Sequence, residues 1–375
     1  MKNILAAYST KNSISEIIED LKEQFYGLKS QMLFYFASSN IDQEKLAAEL
    51  GRAFPENILF GCSTAGEIVS GKMLKNSVVA MGFFNNIIKK ASVEVIEHIK
   101  DTSEEDIEEK VRIAFKNFEH HFGVSLKDMD FRKYTGIILI DGLSCAEEKL
   151  MEVIGDLTNV IFVGASAGDD IKFKETYVYA NGHCYTNSAV LAIFEPDTDF
   201  DIIKTQSFCT TGKKLIANKV DIKTRTVIEF NNKPAVQAYA EALGVSIELA
   251  KNYFRTNPIG LMIKDEPYVR SPREIKENSI VFFSNLLEGM ELDLLESTEI
   301  IKDTRKAIFD KINEIGDLSG IINFNCILRT FELEQKGMEE DYGKIFLNIP
   351  AIGFSTYGEE YLGHINQTST MLVFK

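Results

Sequence analysis

Tryptophan is absent from this 375-residue sequence, and cysteine is scarce. The five cysteines, which are widely spaced and odd in number, contain no C-x-x-C pair and stand at Cys62, Cys145, Cys184, Cys209 and Cys326. This pattern excludes the disulfide framework of a small secreted protein. Reduced thiols are typical of proteins in the cytoplasm, where we expect this one to reside.

Long apolar runs are also missing. No stretch approaches the roughly 20 apolar residues that a membrane-spanning helix requires. The run Ile4-Leu5-Ala6-Ala7 is far too short for the apolar core of a signal peptide. We therefore expect no membrane insertion.

Positive charge is in deficit, with 41 lysines and arginines against 56 aspartates and glutamates and a net charge of −15. Such a surface repels a phosphate backbone unless a local basic patch intervenes. Basic runs are as short as Lys213-Lys214. We therefore expect no nucleic-acid partner.

The length and composition indicate a soluble protein of two domains. Single hydrophobic cores tend to divide beyond about 250–300 residues. The 45% hydrophobic and 26% charged content is ordinary for a globular chain. Turn formers interrupt the pattern at Glu195-Pro196-Asp197-Thr198-Asp199. We therefore predict domains at 1–198 and 199–375.

Hydrophobic periodicity predicts an α/β (α+β) fold, each domain being a largely β core with flanking helices. Predicted helices are 13–28, 43–53, 103–122, 144–157, 234–243, 246–253 and 298–315, and residues 338–346 are predicted as a helix or a loop. Predicted strands are 32–36, 57–60, 77–84, 90–96, 135–140, 159–163, 175–180, 188–194, 202–208, 220–230, 259–264, 267–270, 280–284, 319–326 and 371–374. The dipeptide Asn181-Gly182 predicts a hairpin that joins strands 175–180 and 188–194.

A short glycine-framed turn occurs three times, each time after an apolar run and before a carboxylate. The copies are Gly61-Cys62-Ser63-Thr64-Ala65-Gly66-Glu67, Gly164-Ala165-Ser166-Ala167-Gly168-Asp169 and Gly353-Phe354-Ser355-Thr356-Tyr357-Gly358-Glu359. Glycine permits a positive φ or a close approach, and such a turn exposes N–H donors beside a hydroxyl. The turn either holds a small polar ligand or closes a strand.

The two halves share a second pattern. Gly182-His183 and Gly363-His364 each precede, at the same spacing, a serine that opens an apolar strand, Ser188 and Ser369. The repetition predicts related topology or an old duplication.

The second glycine turn is a literal G-x-S-x-G, the sequence of a nucleophile elbow, in which Ser166 would be the nucleophile. An elbow leads from a strand into a helix, whereas residues 169–176 lack a helical apolar period. The sister copies read G-x-S-x-x-G. A structural turn is therefore the favoured interpretation, and a serine hydrolase stays an alternative.

Cys326 and Arg329 lie where a strand ends. A thiol near a guanidinium is a possible nucleophile, redox sensor or metal ligand, or else a buried core residue. A guanidinium at the end of an apolar strand needs an acceptor, either Glu359 or the carboxylate of a ligand.

Further polar candidates lie in the second half. If Arg270 converged with Arg329 on one pocket, the pair would suit an anionic or zwitterionic small molecule. Asn366 and Thr368 are either donors in the same pocket or turn residues.

The histidines form no zinc-binding pattern. His183 or His364 is a possible axial ligand of haem. Asp169-Asp170 lacks EF-hand spacing, and no P-loop or Rossmann fingerprint is present. We expect no metal and no cofactor, with haem as an alternative.

Together these residues resemble the FIST sensory family, with its N-terminal and C-terminal regions, as a stand-alone member of bacterial type. The resemblance spans nearly the whole chain and is carried by Phe60–Ile68, Val163–Asp170, Val269-Arg270, Glu288-Gly289, Asn325–Arg329, Ile352–Glu359 and Asn366–Thr368.

The resemblance implies a signal-input protein that binds a small ligand, an amino acid or similar metabolite, and that is not an enzyme. Members of the family work beside histidine kinases, cyclic-dinucleotide enzymes or chemotaxis receptors, so we expect a separate signalling partner. Some members bind haem and respond to nitric oxide, which is the first alternative. A hydrolase that depends on Ser166 or Cys326 is the second.

We predict the ligand pocket in the C-terminal half and no catalytic residue. The predicted ligand-binding residues are Arg270, Cys326, Arg329, Gly353, Ser355, Tyr357, Glu359, Asn366 and Thr368. Secondary candidates in the other two turns are Cys62, Ser63, Thr64, Glu67, Ser166 and Asp169.

Overall fold

A computed structural model describes residues 3–27, 30–85, 87–264 and 266–375. The chain forms two compact units. Unit 1 comprises Met1–Lys204, Thr304–Gly363 and Ser369–Lys375, and unit 2 comprises Thr205–Asp303 and His364–Thr368. Neither unit is one continuous segment. The sequence division at residue 198 stays a prediction. The α+β class and the two-domain organisation are confirmed.

Helices begin where the sequence supplies capping groups. The Ser13 and Ser103 side chains accept from the third N–H of their helices, and Gly123 ends the longest helix in the left-handed conformation. The α-helices are α1 Ile14–Gln24, α2 Gln43–Ala53, α3 Glu104–Phe122, α4 Glu147–Leu157, α5 Ala235–Leu243, α6 Ile300–Ile315, α7 Ile327–Lys336 and α8 Glu339–Lys344. The predicted helix at 246–253 is a 3-10 helix, Ile247–Tyr253. The predicted helix at 13–28 ends at Gln24, and residue 28 lies outside the described residues.

Strands make up most of the regular structure. The first thirteen are β1 Ile4–Ser9, β2 Ser30–Ser38, β3 Ile58–Thr64, β4 Glu67–Val69, β5 Lys72–Leu74, β6 Val78–Phe84, β7 Ile88–Glu97, β8 Thr135–Ile140, β9 Phe162–Ser166, β10 Val178–Ala180, β11 His183–Tyr185, β12 Ser188–Pro196 and β13 Phe200–Gln206. The next eight are β14 Phe208–Asp221, β15 Thr226–Phe230, β16 Lys233–Pro234, β17 Ile259–Ile263, β18 Glu266–Arg270, β19 Pro272–Lys276, β20 Ser279–Phe282 and β21 Glu291–Ser297. The last are β22 Gly320–Cys326, β23 Ala351–Thr356, β24 Glu359–Tyr361, β25 His364–Ile365 and β26 Thr368–Phe374.

Two strand predictions were wrong in detail. The single strand predicted at 220–230 is a hairpin, because β14 and β15 pair antiparallel around a turn in which Arg225 has φ +51°. The Asn181-Gly182 turn, with φ +48° and +85°, joins β10 to the short strand β11 rather than to β12. The first error arises because the turn residues within 220–230 are not strong turn formers, and the second because the three-residue strand β11 between Asn181-Gly182 and β12 was not predicted.

Unit 1 contains three sheets with one strand order. The orders are β1-β6-β2-β3-β10-β11, β7-β12-β8-β9-β24 and β13-β26-β22-β23-β4-β5. Each has a central parallel pair, and each pair opens a repeat of the chain. We call β2–β6 repeat 1, β8–β12 repeat 2, and β22–β24 with β26 repeat 3. The topology is therefore repeated three times in unit 1, a finer repetition than the two related halves that the sequence predicts.

The repeats exchange strands in a closed cycle. β10 of repeat 2 pairs with β3 of repeat 1, β4 of repeat 1 pairs with β23 of repeat 3, and β24 of repeat 3 pairs with β9 of repeat 2. Each repeat thus completes the sheet of another. The inner faces of the three sheets share one apolar core, in which Phe36 of repeat 1 lies 4.5 Å from Phe354 of repeat 3 between ring centres.

The first glycine of each turn lies where neighbouring parallel strands approach closely. A Cβ on Gly61 or Gly164 would lie 1.7 Å from a carbonyl oxygen, and a Cβ on Gly353 would lie 2.2 Å from one. Real Cβ atoms do not approach a backbone oxygen so closely. These three glycines are required by packing rather than by a positive φ.

Unit 2 is built on strands β14 to β21 in the order β18-β17-β21-β14-β15-β20-β19, with β16 added to β15. α5 and the 3-10 helix cover its apolar core, where Tyr239 and Phe254 lie 5.5 Å apart between ring centres. Throughout the described ranges, no helix is both long and apolar enough to cross a bilayer.

Candidate functional site

The three glycine turns, which are far apart in sequence, meet in unit 1. In each turn the serine N–H donates to a carbonyl of another repeat. The bonds are Ser63 N to Tyr177 O at 2.9 Å, Ser166 N to Gly358 O at 2.9 Å and Ser355 N to Gly66 O at 2.8 Å. We call Ser63, Ser166 and Ser355, with their turns, the serine ring.

A second set of backbone bonds closes the ring. The residue two places after each serine donates its N–H to a serine carbonyl of another repeat. The bonds are Ala65 N to Ser355 O at 3.4 Å, Gly168 N to Ser63 O at 3.0 Å and Tyr357 N to Ser166 O at 3.1 Å. The N–H groups of Ser355 and Tyr357, which the sequence suggested as ligand donors, are therefore engaged within the fold.

The serine hydroxyls are buried and bonded inside the protein. Ser63 Oγ donates to Gly168 O at 2.9 Å, and Ser166 Oγ donates to Glu147 Oε1 at 3.2 Å. β9 ends at Ser166, and the residues that follow, 167–177, are not helical. This geometry is that of a structural turn and not of a nucleophile elbow.

The carboxylate that follows the turn is buried in repeats 1 and 3. Glu67 is only 1% exposed and accepts from Thr64 Oγ1, from Ser77 N at 3.1 Å and from Ser77 Oγ at 2.6 Å. Burial raises the pKa of Glu67 to about 7, although these hydrogen bonds oppose the shift. In repeat 3, Glu359 accepts from Thr356 in the same way.

Arg329 belongs to a buried polar network beneath the ring. Its Nε donates to Asn325 Oδ1 at 3.0 Å and its Nη2 to Thr304 Oγ1 at 2.9 Å. Asn325 also accepts from Tyr342 Oη at 2.9 Å. Cys326, the last residue of β22, is buried at the start of α7. The structure thus gives Arg329 acceptors inside unit 1 that the sequence did not indicate.

The other predicted residues fall into two groups. Gly353, Ser355, Tyr357 and Glu359 lie in unit 1 with Cys326 and Arg329, and Arg270, Asn366 and Thr368 lie in unit 2.

Within unit 2, Arg270 ends β18 half-buried and donates from Nη1 to Val269 O at 3.2 Å. Asn366 and Thr368 are buried. Gln367, which the sequence analysis did not single out, accepts from Ser271 Oγ at 2.7 Å and donates to Arg255 O at 2.8 Å.

A cavity of about 230 Å³ lies beside the serine ring in unit 1, and we call it the ring cavity. It lies near the carboxyl ends of β2, β3 and β22, at the start of α7. Its polar lining is Asn40, Lys75, Asn76, Asp170, Thr330 and Glu334, and its apolar lining is Ala65, Ile171, Ile327 and Phe331. Crevices at the carboxyl ends of parallel strands are where α/β proteins bind ligands.

The ring cavity carries both signs of charge. Lys75 Nζ pairs with Glu334 Oε1 at 2.6 Å, and this bond raises the lysine pKa. Asp170 Oδ2 accepts from Ser39 Oγ and Asn40 Nδ2, both at 3.1 Å. Thr330 Oγ1 lies 2.7 Å from Ser355 Oγ, so the lining is bonded directly to the serine ring.

Most residues of this cavity were not predicted from the sequence. The signal that was available is positional, because Asn40 and Asp170 each follow a strand by a few residues. Thr330 lies next to the predicted Arg329. Lys75 gave no signal beyond ordinary surface charge.

A second cavity of about 340 Å³, the loop cavity, lies at the start of α2. Its lining comes from Ser39, from Ile41–Glu44 and from the connection between β9 and β10, namely Asp169, Lys172, Lys174, Glu175 and Tyr177. The connection between β9 and β10 therefore borders both cavities.

Among the described residues, no histidine that could ligate haem iron lines either cavity. His183 lies exposed on β11 and His364 is buried in unit 2, and neither residue lines the ring cavity or the loop cavity. Within the part of the chain that the structure describes, no group of three or more His, Cys, Asp or Glu side chains is arranged to hold a metal ion.

Two family profiles match the chain. The FIST N domain matches residues 31–233 and the FIST C domain matches residues 235–361. An uncharacterized protein of Methanocaldococcus jannaschii is 25% identical over 377 aligned positions, which cover 94% of this chain and 71% of that protein.

Proposed function

Because the chain belongs to the FIST family, we propose that it is a cytoplasmic sensory protein that binds a small ligand, an amino acid or similar metabolite. The proposed output is a separate signalling partner, such as a histidine kinase, a cyclic-dinucleotide enzyme or a chemotaxis component. In this proposal the protein has no catalytic role.

The ring cavity is the observation that carries the proposal. It is concave, lies at the carboxyl ends of parallel strands and is lined by six polar and four apolar residues, a lining that suits a polar small molecule. At about 230 Å³ it is smaller than most drug-binding pockets, which favours a metabolite.

The charges favour a ligand with both an ammonium and a carboxylate. Lys75 can bind a carboxylate if Glu334 releases it, and Asp170 and Glu334 can accept from an ammonium group. The Lys75 side chain is 64% exposed and that of Glu334 28%, so the ion pair is partly screened by water and exchanging Glu334 for a ligand carboxylate costs little.

The predicted residues of repeat 3 take a supporting role in this proposal. Ser355 contacts Thr330 in the cavity lining, and Asn325 Nδ2 donates to Thr330 Oγ1 at 3.1 Å. Asn325 in turn binds Arg329. We propose that these residues hold the lining in position and transmit a change in it to α6 and α7.

A thermal-shift screen tests the proposal. The purified chain is mixed with each common amino acid, with small organic acids and with haem. A ligand at 100 times its Kd stabilises the folded state by about 2.7 kcal/mol, which raises the melting temperature by several degrees. We expect one amino acid or similar metabolite to do so.

Variants assign the binding to the ring cavity. Asp170→Asn and Lys75→Gln should abolish the shift, while the control Lys306→Gln, which removes an exposed ion pair on α6, should retain it. If no small molecule raises the melting temperature, the sensory proposal fails and a scaffold acting through protein contacts is the better account. A Soret band with added haem would favour the haem alternative.

A further inference from the structure

The connection between β9 and β10 is unusual among the three repeats. In repeats 1 and 3 the corresponding connections are short, residues 65–66 and 357–358. In repeat 2 the connection runs from residue 167 to residue 177. Long connections without regular structure are often functional loops.

The buried Asp169 binds the backbone of this connection through its carboxylate. Its carboxylate is 2% exposed and accepts from three consecutive backbone N–H groups, those of Phe173 at 3.0 Å, Lys174 at 2.7 Å and Glu175 at 3.2 Å. Burial on its own would raise the pKa of Asp169, but these hydrogen bonds and that of Tyr357 lower it. The carboxylate therefore fixes the far end of the loop.

Tyr357 of repeat 3 joins the loop to the serine ring. Its hydroxyl donates to Asp169 Oδ1 at 2.5 Å and accepts from Ile171 N at 2.7 Å. Its ring lies 5.5 Å from the ring of Phe173. Tyr357, a residue of the serine ring, thus contacts three residues of the loop, Asp169, Ile171 and Phe173.

The loop is held in a strained conformation. Asp170, Ile171 and Phe173 have φ of +55°, +61° and +48°, the left-handed region that glycine prefers. For a β-branched residue such as Ile171 this is an outlier. Ile171 and Phe173 are also 41% and 58% exposed, so apolar burial does little to compensate. Such strain persists only where surrounding contacts enforce it.

The loop is a wall of both cavities. Asp170 and Ile171 line the ring cavity, and Lys172 and Lys174 line the loop cavity. Lys172 Nζ donates to Asn40 Oδ1 at 2.5 Å, which ties the loop to the opposite wall. Movement of the loop would therefore open the ring cavity on one side.

We propose that residues 169–175 form a lid over the ring cavity and that Tyr357 and Asp169 form the latch that holds it closed. Loss of the latch removes the hydrogen bonds at Ile171, Phe173, Lys174 and Glu175, so residues 169–175 open more often, against the remaining bonds of Asp170 and Lys172 to Asn40. The idea that a ligand enters by this route rests on the proposed function, whereas the opening of the lid is independent of that function.

Limited trypsin digestion of the native full-length chain tests the latch, because Lys172 and Lys174 lie in the lid. Cleavage of a folded protein at such a site reports the population of the locally open state. Tyr357→Phe removes a hydrogen bond to a carboxylate, so we expect cleavage after Lys172 or Lys174 to rise roughly tenfold. Mass spectrometry identifies the cleaved bonds.

The control is Tyr177→Phe, which removes a hydroxyl that binds Glu175 of the same loop at an exposed position. We expect less than a twofold change for this variant. If the two variants are cleaved equally fast in the lid, or Tyr357→Phe no faster than wild type, the latch is refuted. A variant that fails to fold is recognised by cleavage throughout the chain.

Hydrogen exchange of the unaltered protein gives a second test that needs no variant. The amides of Ile171, Phe173, Lys174 and Glu175 should exchange together, faster than the ring amides of Ser166 and Ser355 and slower than an unprotected loop. Exchange at the rate of the ring amides, or at the unprotected rate, overturns the lid. A lid that opens in a chain that binds none of the screened compounds leaves this inference standing and removes only the ligand proposal.

Discussion

Repeats 1 and 2 contain equivalent turns in the serine ring, but the connection that follows the turn differs between the two repeats. In repeat 1, Thr64 donates to Glu67 and a two-residue connection leads directly into β4. In repeat 2, Ala167 has no hydroxyl, and Asp170 stands in the position of Glu67 on the lid loop. The carboxylate is buried in one repeat and lines a cavity in the other.

In the proposed function, the candidate site lies on the part of the scaffold that differs between the repeats. The backbone bonds of the ring are the same in all three repeats, so they account for the fold and not for its function. The variable part is the connection that follows the ring. Binding residues commonly lie on such loops, placed by a rigid scaffold.

The largest effects are expected from Gly61→Ala and Gly164→Ala, because both glycines lie at the close backbone contact that the three turns share. In each variant the new Cβ would overlap a carbonyl oxygen of the adjacent strand. We expect each to lower the free energy of unfolding by about 3 kcal/mol or more. Urea denaturation measures the loss.

Gly155→Ala is the matched control. Gly155 lies in α4, where an added Cβ would have no atom within 4 Å apart from the adjacent residues and the backbone of its own helix. Alanine there should stabilise the protein by roughly 0.5–1 kcal/mol. A loss in only one of the two turn variants would show that the repeats are not equivalent at this contact.

The buried Glu67 predicts a pH effect specific to repeat 1. Its pKa is about 7 in the folded state against an ordinary value of 4.5, so folding favours the protonated form. Its contribution to stability is complete below pH 4.5 and is lost as the pH rises through 7. The loss amounts to about 3 kcal/mol, since one pKa unit corresponds to about 1.4 kcal/mol.

Glu67→Gln should remove this part of the pH dependence. The difference in unfolding free energy between wild type and variant should therefore change by about 3 kcal/mol from pH 4.5 to pH 8. Glu109→Gln, at an exposed helical position, should give the same difference at both pH values. A constant difference for Glu67→Gln would mean that the buried carboxylate does not titrate in this range.

A smaller effect should follow from removing the hydroxyl that distinguishes repeat 1 from repeat 2. Thr64→Val keeps the shape of the side chain but removes its donor to Glu67. We expect a loss of about 1.5–3 kcal/mol above pH 7, where the carboxylate is charged, and a smaller loss at pH 5. Thr64→Ser keeps the donor and should restore most of the stability. Equal losses for valine and serine would assign the effect to packing.

Much of the local structure could be predicted from the sequence, because local chemistry determines it. Helix α2 was predicted at its observed bounds, and β8 likewise, since each has a clear apolar period and a clear end. The glycine turns were recognised for the same reason. The hairpin within 220–230 was missed because its turn residues are not strong turn formers.

The meeting of the three turns could not be predicted, because the strand exchange that produces it is non-local. Phe354 pairs with Glu67, and Tyr179 pairs with Gly61. No local pattern encodes such partners. The ring cavity was missed for a related reason, since Asn40, Lys75 and Thr330 are individually ordinary residues that only the fold brings together.

The smallest stability effect is expected at Lys75, a residue of the proposed ligand site. Lys75 lines the ring cavity and pairs with Glu334, but its side chain is 64% exposed. Lys75→Gln should therefore change the free energy of unfolding by less than about 1 kcal/mol. It should nevertheless abolish the thermal shift given by the ligand that the screen identifies, because no other cation lines this cavity among the described residues. A variant that retains the full shift would place the ligand elsewhere and leave the ring with a structural role.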